Sequence, residues 1–173
     1  MDKLFLAAIK EETVGLDYFN QTGVGKINAT YNSLRLIRIH KPKLVINYGT
    51  AGAINSNLQG IIECTKFYQR DMDVRGLNFE LGETPYDKIK EIITSESGYS
   101  CGSGDSFVNK KIDMITDVVD MEAYAIAKVC KLENIEFRCF KYISDNANKN
   151  ADNDWKKNLK IASNAFSNFI DNE

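Results

Sequence analysis

Two rhythms of apolar and polar positions run along the chain: unbroken apolar runs, and stripes that recur every three or four residues. Leu4 to Ile9 is a continuous apolar run, the mark of a strand covered on both faces. Gly23-Val24-Gly25 precede a helical pattern that puts Ile27, Tyr31 and Leu34 on one face. That helix must end before Pro42, because a residue ahead of proline is pushed out of the helical region. Lys43 to Tyr48 reads as a second strand closed by Gly49-Thr50-Ala51-Gly52, and residues 60–68 as a third. The spacing predicts a short helix over Tyr86 to Thr94, followed by a polar, glycine-rich stretch from Ser95 to Ser106.

The last third has the same alternation. Asp117 to Asp120 is a short strand running into a helix whose stripe is Met121, Tyr124, Ala125, Val129 and Leu132. Phe137 to Ile143 is a further strand, ended by Ser144-Asp145-Asn146. An Asn-rich loop to Asn153 leads to a closing amphipathic helix marked by Trp155, Leu159, Ala162, Phe166 and Phe169. Strands alternating with helices make an α/β fold with a largely parallel sheet and right-handed crossovers. Its 173 residues, with only two prolines and no repeat or long linker, suit one domain over 1–173.

Composition removes several functions. Lys and Arg number 22 against 24 Asp and Glu, a formal net charge of −2, so no positive field draws the chain to nucleic acid or an anionic membrane. No apolar run approaches the roughly 20 residues of a membrane span, and the N-terminal run is too short and too acidic at its end for a signal peptide. Cys64, Cys101, Cys130 and Cys139 form no C-x-x-C pair, and His40 is the only histidine. That spacing supplies no zinc site and predicts no metal and no cofactor. Reduced, buried thiols and a cytoplasmic location are the expectation. His40 precedes Lys41-Pro42 at a helix end, which leaves carboxylates to carry any proton chemistry.

In an open α/β sheet, ligands bind beyond the carboxyl ends of the strands. Glu11 and Glu12 follow the first strand, Thr50 the second and Glu122 the Val118 strand, while Ser144 and Asp145 cap the Phe137 strand. Each has a plain alternative, since acids favour the first turn of a helix and Asp caps helices and turns. Other motifs fail. Gly25-Lys26 lacks a P-loop, because Asn20 stands at its first glycine and Ile27 at its Ser/Thr position. Asn28 replaces the third glycine of a dinucleotide fingerprint. Cys101 has no histidine to activate it, and Lys156-Lys157 reads as a solvated helix face.

The segments A-I-K-E-E (8–12), G-V-G-K-I-N-A (23–29), V-I-N-Y-G-T-A-G-A-I (45–54), S-G-D-S-F-V-N (103–109), V-D-M-E-A-Y-A-I-A-K-V-C (119–130) and Y-I-S-D-N-A (142–147) occur in this order. Together they resemble the purine nucleoside phosphorylase/uridine phosphorylase superfamily, most closely its 5′-methylthioadenosine/S-adenosylhomocysteine nucleosidases. The resemblance implies a three-layer α/β/α fold around a central mixed sheet. The fold is trimmed: pieces of the family pattern are absent between Asp17 and Gly23, between Gly82 and Ser100, and before Val118.

The resemblance implies Asp145 as general acid toward the adenine N7, with Ser144 positioning it, and Glu12 as the base for water. Glu122 would accept the ribose hydroxyls, Met121 pack on the sugar, Phe107 stack on the purine, Val108 present backbone to its edge, and Thr50 stand near the attacking water. Phosphorylases of the superfamily carry Gly-Asp-Pro and arginines after the first strand. Here that place reads Ile9-Lys10-Glu11-Glu12-Thr13, which repels phosphate and favours hydrolysis. Lys141 stands where the family has Arg, and Arg70 where a partner's histidine closes the 5′ end of the substrate. The resemblance implies a homodimer acting on a small nucleoside. Phosphorolysis, hydrolysis of another nucleoside, and binding without cleavage are the alternatives.

Overall fold

Three strands set the frame: β1 (Lys3–Ala7), β3 (Leu44–Ala53) and β8 (Glu136–Asp145). They lie side by side and parallel, with Val45 opposite both Leu4 and Phe137. Successive side chains on a strand point to opposite faces, so the runs must feed two cores. Leu4, Leu6 and Val45 enter one; Phe5, Ala7, Ile46 and Tyr48 enter the other. The structure, a computed structural model, describes residues 2–110, 112–114 and 116–170.

The first core is closed by two helices, α1 (Lys26–His40) and α2 (Ala123–Glu133). The second is closed by α3 (Ala151–Ile170), whose Phe166 ring stacks on Tyr48 at 3.9 Å and meets Phe19 edge-on. Helices on both faces of one sheet make the expected α/β/α layering. The sheet has eight strands, completed by β2 (Phe19–Gln21), β4 (Ile61–Gln69), β5 (Ile92–Ile93), β6 (Tyr99–Ser103) and β7 (Val118–Asp120). It is mixed: β7 runs antiparallel to β3, and β4 antiparallel to β5 and β8, while the other pairs are parallel. Because β8 pairs with both β3 and β4, the strands β3, β8, β4, β6 and β7 form a closed circuit. No helix among the described residues is long and apolar enough to cross a membrane.

Several expectations are corrected. On α1 the buried face is Ala29, Ser33, Leu36 and Ile37, whereas Ile27 and Tyr31 are 81% and 67% exposed. Small residues let this helix pack closely on α2, and the bulky stripe is left facing outward. Tyr86 to Thr94 is not a helix. Asp87 accepts the Ile89 amide across a turn, Tyr86 has a positive φ of 60°, and only the short β5 follows. The glycine-rich stretch after Ser95 contains β6, whose Cys101, Gly102 and Ser103 are fully buried. β3 does not stop at Tyr48 but continues through Gly49-Thr50-Ala51-Gly52 to Ala53. Met121 precedes α2, Leu132 is exposed, and α3 begins at Ala151, inside the expected loop.

Candidate active site

The long β3–β8 pair carries the site on its far half. Their register runs evenly from Leu44↔Glu136 to Ala51↔Ile143 and then shifts, so that Gly52 faces Asp145 and Ser144 is the extra residue. Such a bulge re-aims side chains at the end of a strand. Here it turns Asp145 toward β3, and Gly52 makes the room. A methyl group on Gly52 would lie 2.7 Å from Asp145 Oδ1, a separation real side chains do not tolerate.

Asp145 is nearly buried and receives two hydrogen bonds, from the Ser144 hydroxyl to Oδ2 at 2.8 Å and from the Ala147 amide to Oδ1 at 2.8 Å. Burial pushes its carboxyl above the ordinary range, against those two bonds and with help from Asp154 and Asp152. An acid whose proton is held more firmly in this way is suited to donate to a leaving group. Ser144 is fixed in turn, since its carbonyl accepts the Asn158 side-chain amide of α3 at 2.7 Å.

Glu12 is delivered by a 3-10 turn, Lys10–Thr13, that follows β1. Its Oε1 accepts the Thr50 amide at 2.8 Å and the Thr50 hydroxyl at 2.9 Å, and its Oε2 accepts the Ala8 amide at 3.2 Å. The Trp155 indole N–H donates to the same Thr50 hydroxyl at 2.8 Å. A chain of donors from α3 through Thr50 therefore orients Glu12.

Glu122 caps the start of α2. The Gly25 amide, at the head of α1, donates to its Oε1 at 2.9 Å. Gly25 has φ +88°, and an added side chain there would meet Asp105 at 3.1 Å, so the position calls for glycine. Burial, then repulsion from Asp120, pushes Glu122 up to about 8. Asp120 itself is ionised. Burial opposes its charge, but Lys141 beside it, with the Ser103 hydroxyl and the Ala123 amide, holds its carboxyl below the usual value. The Lys141–Asp120 ion pair spans 2.8 Å and is closed to solvent.

These groups line one open cleft. Asp145, Glu12, Glu122, Met121, Thr50, Ser144, Phe107 and Val108 all contribute to it, so the eight residues named from the sequence converge. Phe107 remains 43% exposed, its ring edge-on to Trp155 at 5.8 Å.

Sequence reasoning missed two others. Trp155 was assigned to the core stripe of α3, yet it faces the cleft beside Thr50. Asp120 carried no assignment, although it opens the D-M-E block and lies at the cleft floor. Arg70, which the resemblance sets where a partner's histidine closes the 5′ end, is nine-tenths buried and lines the cleft of its own chain. Lys141 is likewise taken up by Asp120, as a one-to-one ion pair where a guanidinium would make a fork.

A family profile described as Phosphorylase superfamily matches residues 19–172. A 5′-methylthioadenosine/S-adenosylhomocysteine nucleosidase from Glaesserella parasuis is 31% identical over 87% of this chain and 76% of the relative. Among solved structures, the Helicobacter pylori 5′-methylthioadenosine/S-adenosyl homocysteine nucleosidase superposes with a TM-score of 0.89. The match covers 99% of this chain and 97% of that one at 21% identity. A futalosine hydrolase mutant from the same organism superposes with a TM-score of 0.86 at 20% identity over 99% and 97% of the two chains.

Proposed function

The chain belongs to the phosphorylase superfamily and, within it, with the 5′-methylthioadenosine/S-adenosylhomocysteine nucleosidases, and from that premise we propose that it hydrolyses the N-glycosidic bond of 5′-methylthioadenosine or S-adenosylhomocysteine. The observation that carries the reading is the convergence in one cleft of an acid raised by burial, Asp145, and a carboxylate aligned by three donors, Glu12.

Breaking the bond between C1′ and the purine nitrogen leaves the electron pair on the departing base and positive charge on the sugar. Asp145 donates its proton to N7, so the base leaves neutral. Water adds its oxygen to C1′ and passes a proton to Glu12, which the Thr50 contacts hold in place. Glu122 turns its free Oε2 to the ribose hydroxyls, and once ionised it favours the oxocarbenium-like sugar electrostatically. Phe107 offers a face to the purine, Val108 its backbone, and Met121 packs on the sugar. Asp145 recovers its proton from solvent.

The site needs no cofactor for these steps. Four unpaired, buried cysteines suit a reducing cytoplasm. The outward apolar residues of α1, Ile27 and Tyr31, suit a homodimer. The test is release of the free base, adenine from 5′-methylthioadenosine, S-adenosylhomocysteine and adenosine and hypoxanthine from inosine, each with and without phosphate. Phosphate-independent release from the two thio-nucleosides is expected. A requirement for phosphate, or no release from any of them by folded protein, overturns the proposal.

A further inference from the structure

The loop 104–108, which follows β6 and carries Phe107 and Val108, has little regular structure of its own. Its backbone must therefore be held by side chains from elsewhere, and these come from the end of β4. The Arg70 guanidinium donates through one nitrogen to the Gly104 carbonyl at 3.1 Å and to the Ser106 carbonyl, and through the other to the Ser106 hydroxyl at 3.4 Å. Next to it, Asp71 accepts the Asp105 amide at 2.9 Å and pairs with Lys26 Nζ at 2.5 Å. Asp105 accepts the Lys26 amide at 2.7 Å, one residue beyond the Gly25 amide that binds Glu122. The loop is thus tied to β4 and to the head of α1, and Arg70 reaches both carbonyls flanking Asp105. The packing leaves no slack: a methyl group on Gly104 would lie 2.7 Å from Arg70 Cζ.

We propose that Arg70 is the positioning residue for nucleobase binding, a two-pronged latch that fixes the loop so that Phe107 and Val108 meet the purine. This deepens the nucleosidase reading and rests on it. A planar guanidinium holds its N–H donors in one fixed plane, whereas the three donors of an ammonium turn freely on a flexible stem. The charge compensates backbone carbonyls buried with it, so its loss frees the loop rather than merely emptying a space.

The test compares wild type with Arg70→Met and Arg70→Lys, the second retaining the charge in case the first folds poorly. Hydrogen exchange of the loop amides should accelerate at least roughly tenfold in Arg70→Met, less in Arg70→Lys, with exchange in β3 and β8 unchanged. Trp155, the single tryptophan, stands 5.8 Å from Phe107 and reports adenine binding by its fluorescence. Adenine affinity should fall about 10- to 100-fold, with KM rising in step and kcat changing by less than about threefold. Because Arg70 acts through Phe107, adding Phe107→Ala to Arg70→Met should cost little beyond either change alone. Fully additive losses, or unchanged loop exchange, overturn the latch. Wild-type protein that binds no adenine overturns instead the reading of function on which it rests.

Discussion

Replacing Glu122 by glutamine isolates the electrostatics of the cleft. The amide is nearly isosteric and can still accept the Gly25 N–H, so packing is preserved while titration is removed. Glu122 ionises at its ordinary value of 4.5 when unfolded and at about 8 when folded. Between those values the native state keeps a proton that the unfolded state has lost. Each pH unit in that window therefore costs the wild type about 1.4 kcal/mol of stability. From about pH 5 to about pH 8 the loss amounts to roughly 3–4 kcal/mol, after which the native carboxyl also ionises and the loss levels off. Glu122→Gln lacks this term. Urea unfolding of both proteins across that range should give a stability difference that moves against the wild type by that amount as pH rises. A difference constant to within about 1 kcal/mol would refute the reasoning. It would mean that the carboxyl is solvated, or that Lys141 rather than Asp120 governs its surroundings.

Two further outcomes follow from the same geometry. Lys141→Met leaves Asp120 charged and unpaired in the interior and should destabilise by about 3–5 kcal/mol, with Asp120→Asn in the same chain recovering much of the loss; a loss below about 1 kcal/mol in the single variant would show that the pair is not buried as described. Gly52→Ala puts a methyl group 2.7 Å from Asp145 Oδ1 and should lower kcat about 10- to 100-fold by shifting the acid, which steady-state kinetics and a thermal melt separate from any unfolding.

The strands that frame the sheet were legible because a strand covered on both faces is largely apolar, as Leu4 to Ile9 and Leu44 to Ile46 are. Their ends were not. β3 continues through Gly49-Thr50-Ala51-Gly52 because β8 and β7 pair with it there, and its glycines answer the approach of Glu12, Lys141 and Asp145 rather than a turn. β6 was hidden for the same reason: a methyl group on Gly102 would lie 2.9 Å from the Thr116 hydroxyl, and beyond Tyr99 the strand is built from small residues that carry little apolar signal. The face of α1 was misread because periodicity weighs large side chains, and its contact with α2 uses Ala29 and Ser33.

The candidate site was legible through the strand-end acids and the D-M-E and I-S-D blocks, since those residues approach the cleft from strand termini. The groups that hold them were not. Trp155 and Arg70 come from the first turns of a helix and the end of a separate strand, and only tertiary packing brings them to Thr50 and to the Phe107 loop.

The central claim is that Asp145 protonates the leaving base during hydrolysis. Its most direct test is adenine release from 5′-methylthioadenosine in phosphate-free buffer, with wild type and Asp145→Asn side by side and Trp155 fluorescence reporting binding. The wild type should release adenine together with the free thio-sugar. Asp145→Asn should bind the nucleoside comparably but turn it over about 10²- to 10⁴-fold more slowly. Turnover by Asp145→Asn at the wild-type rate, with binding intact, would contradict the account.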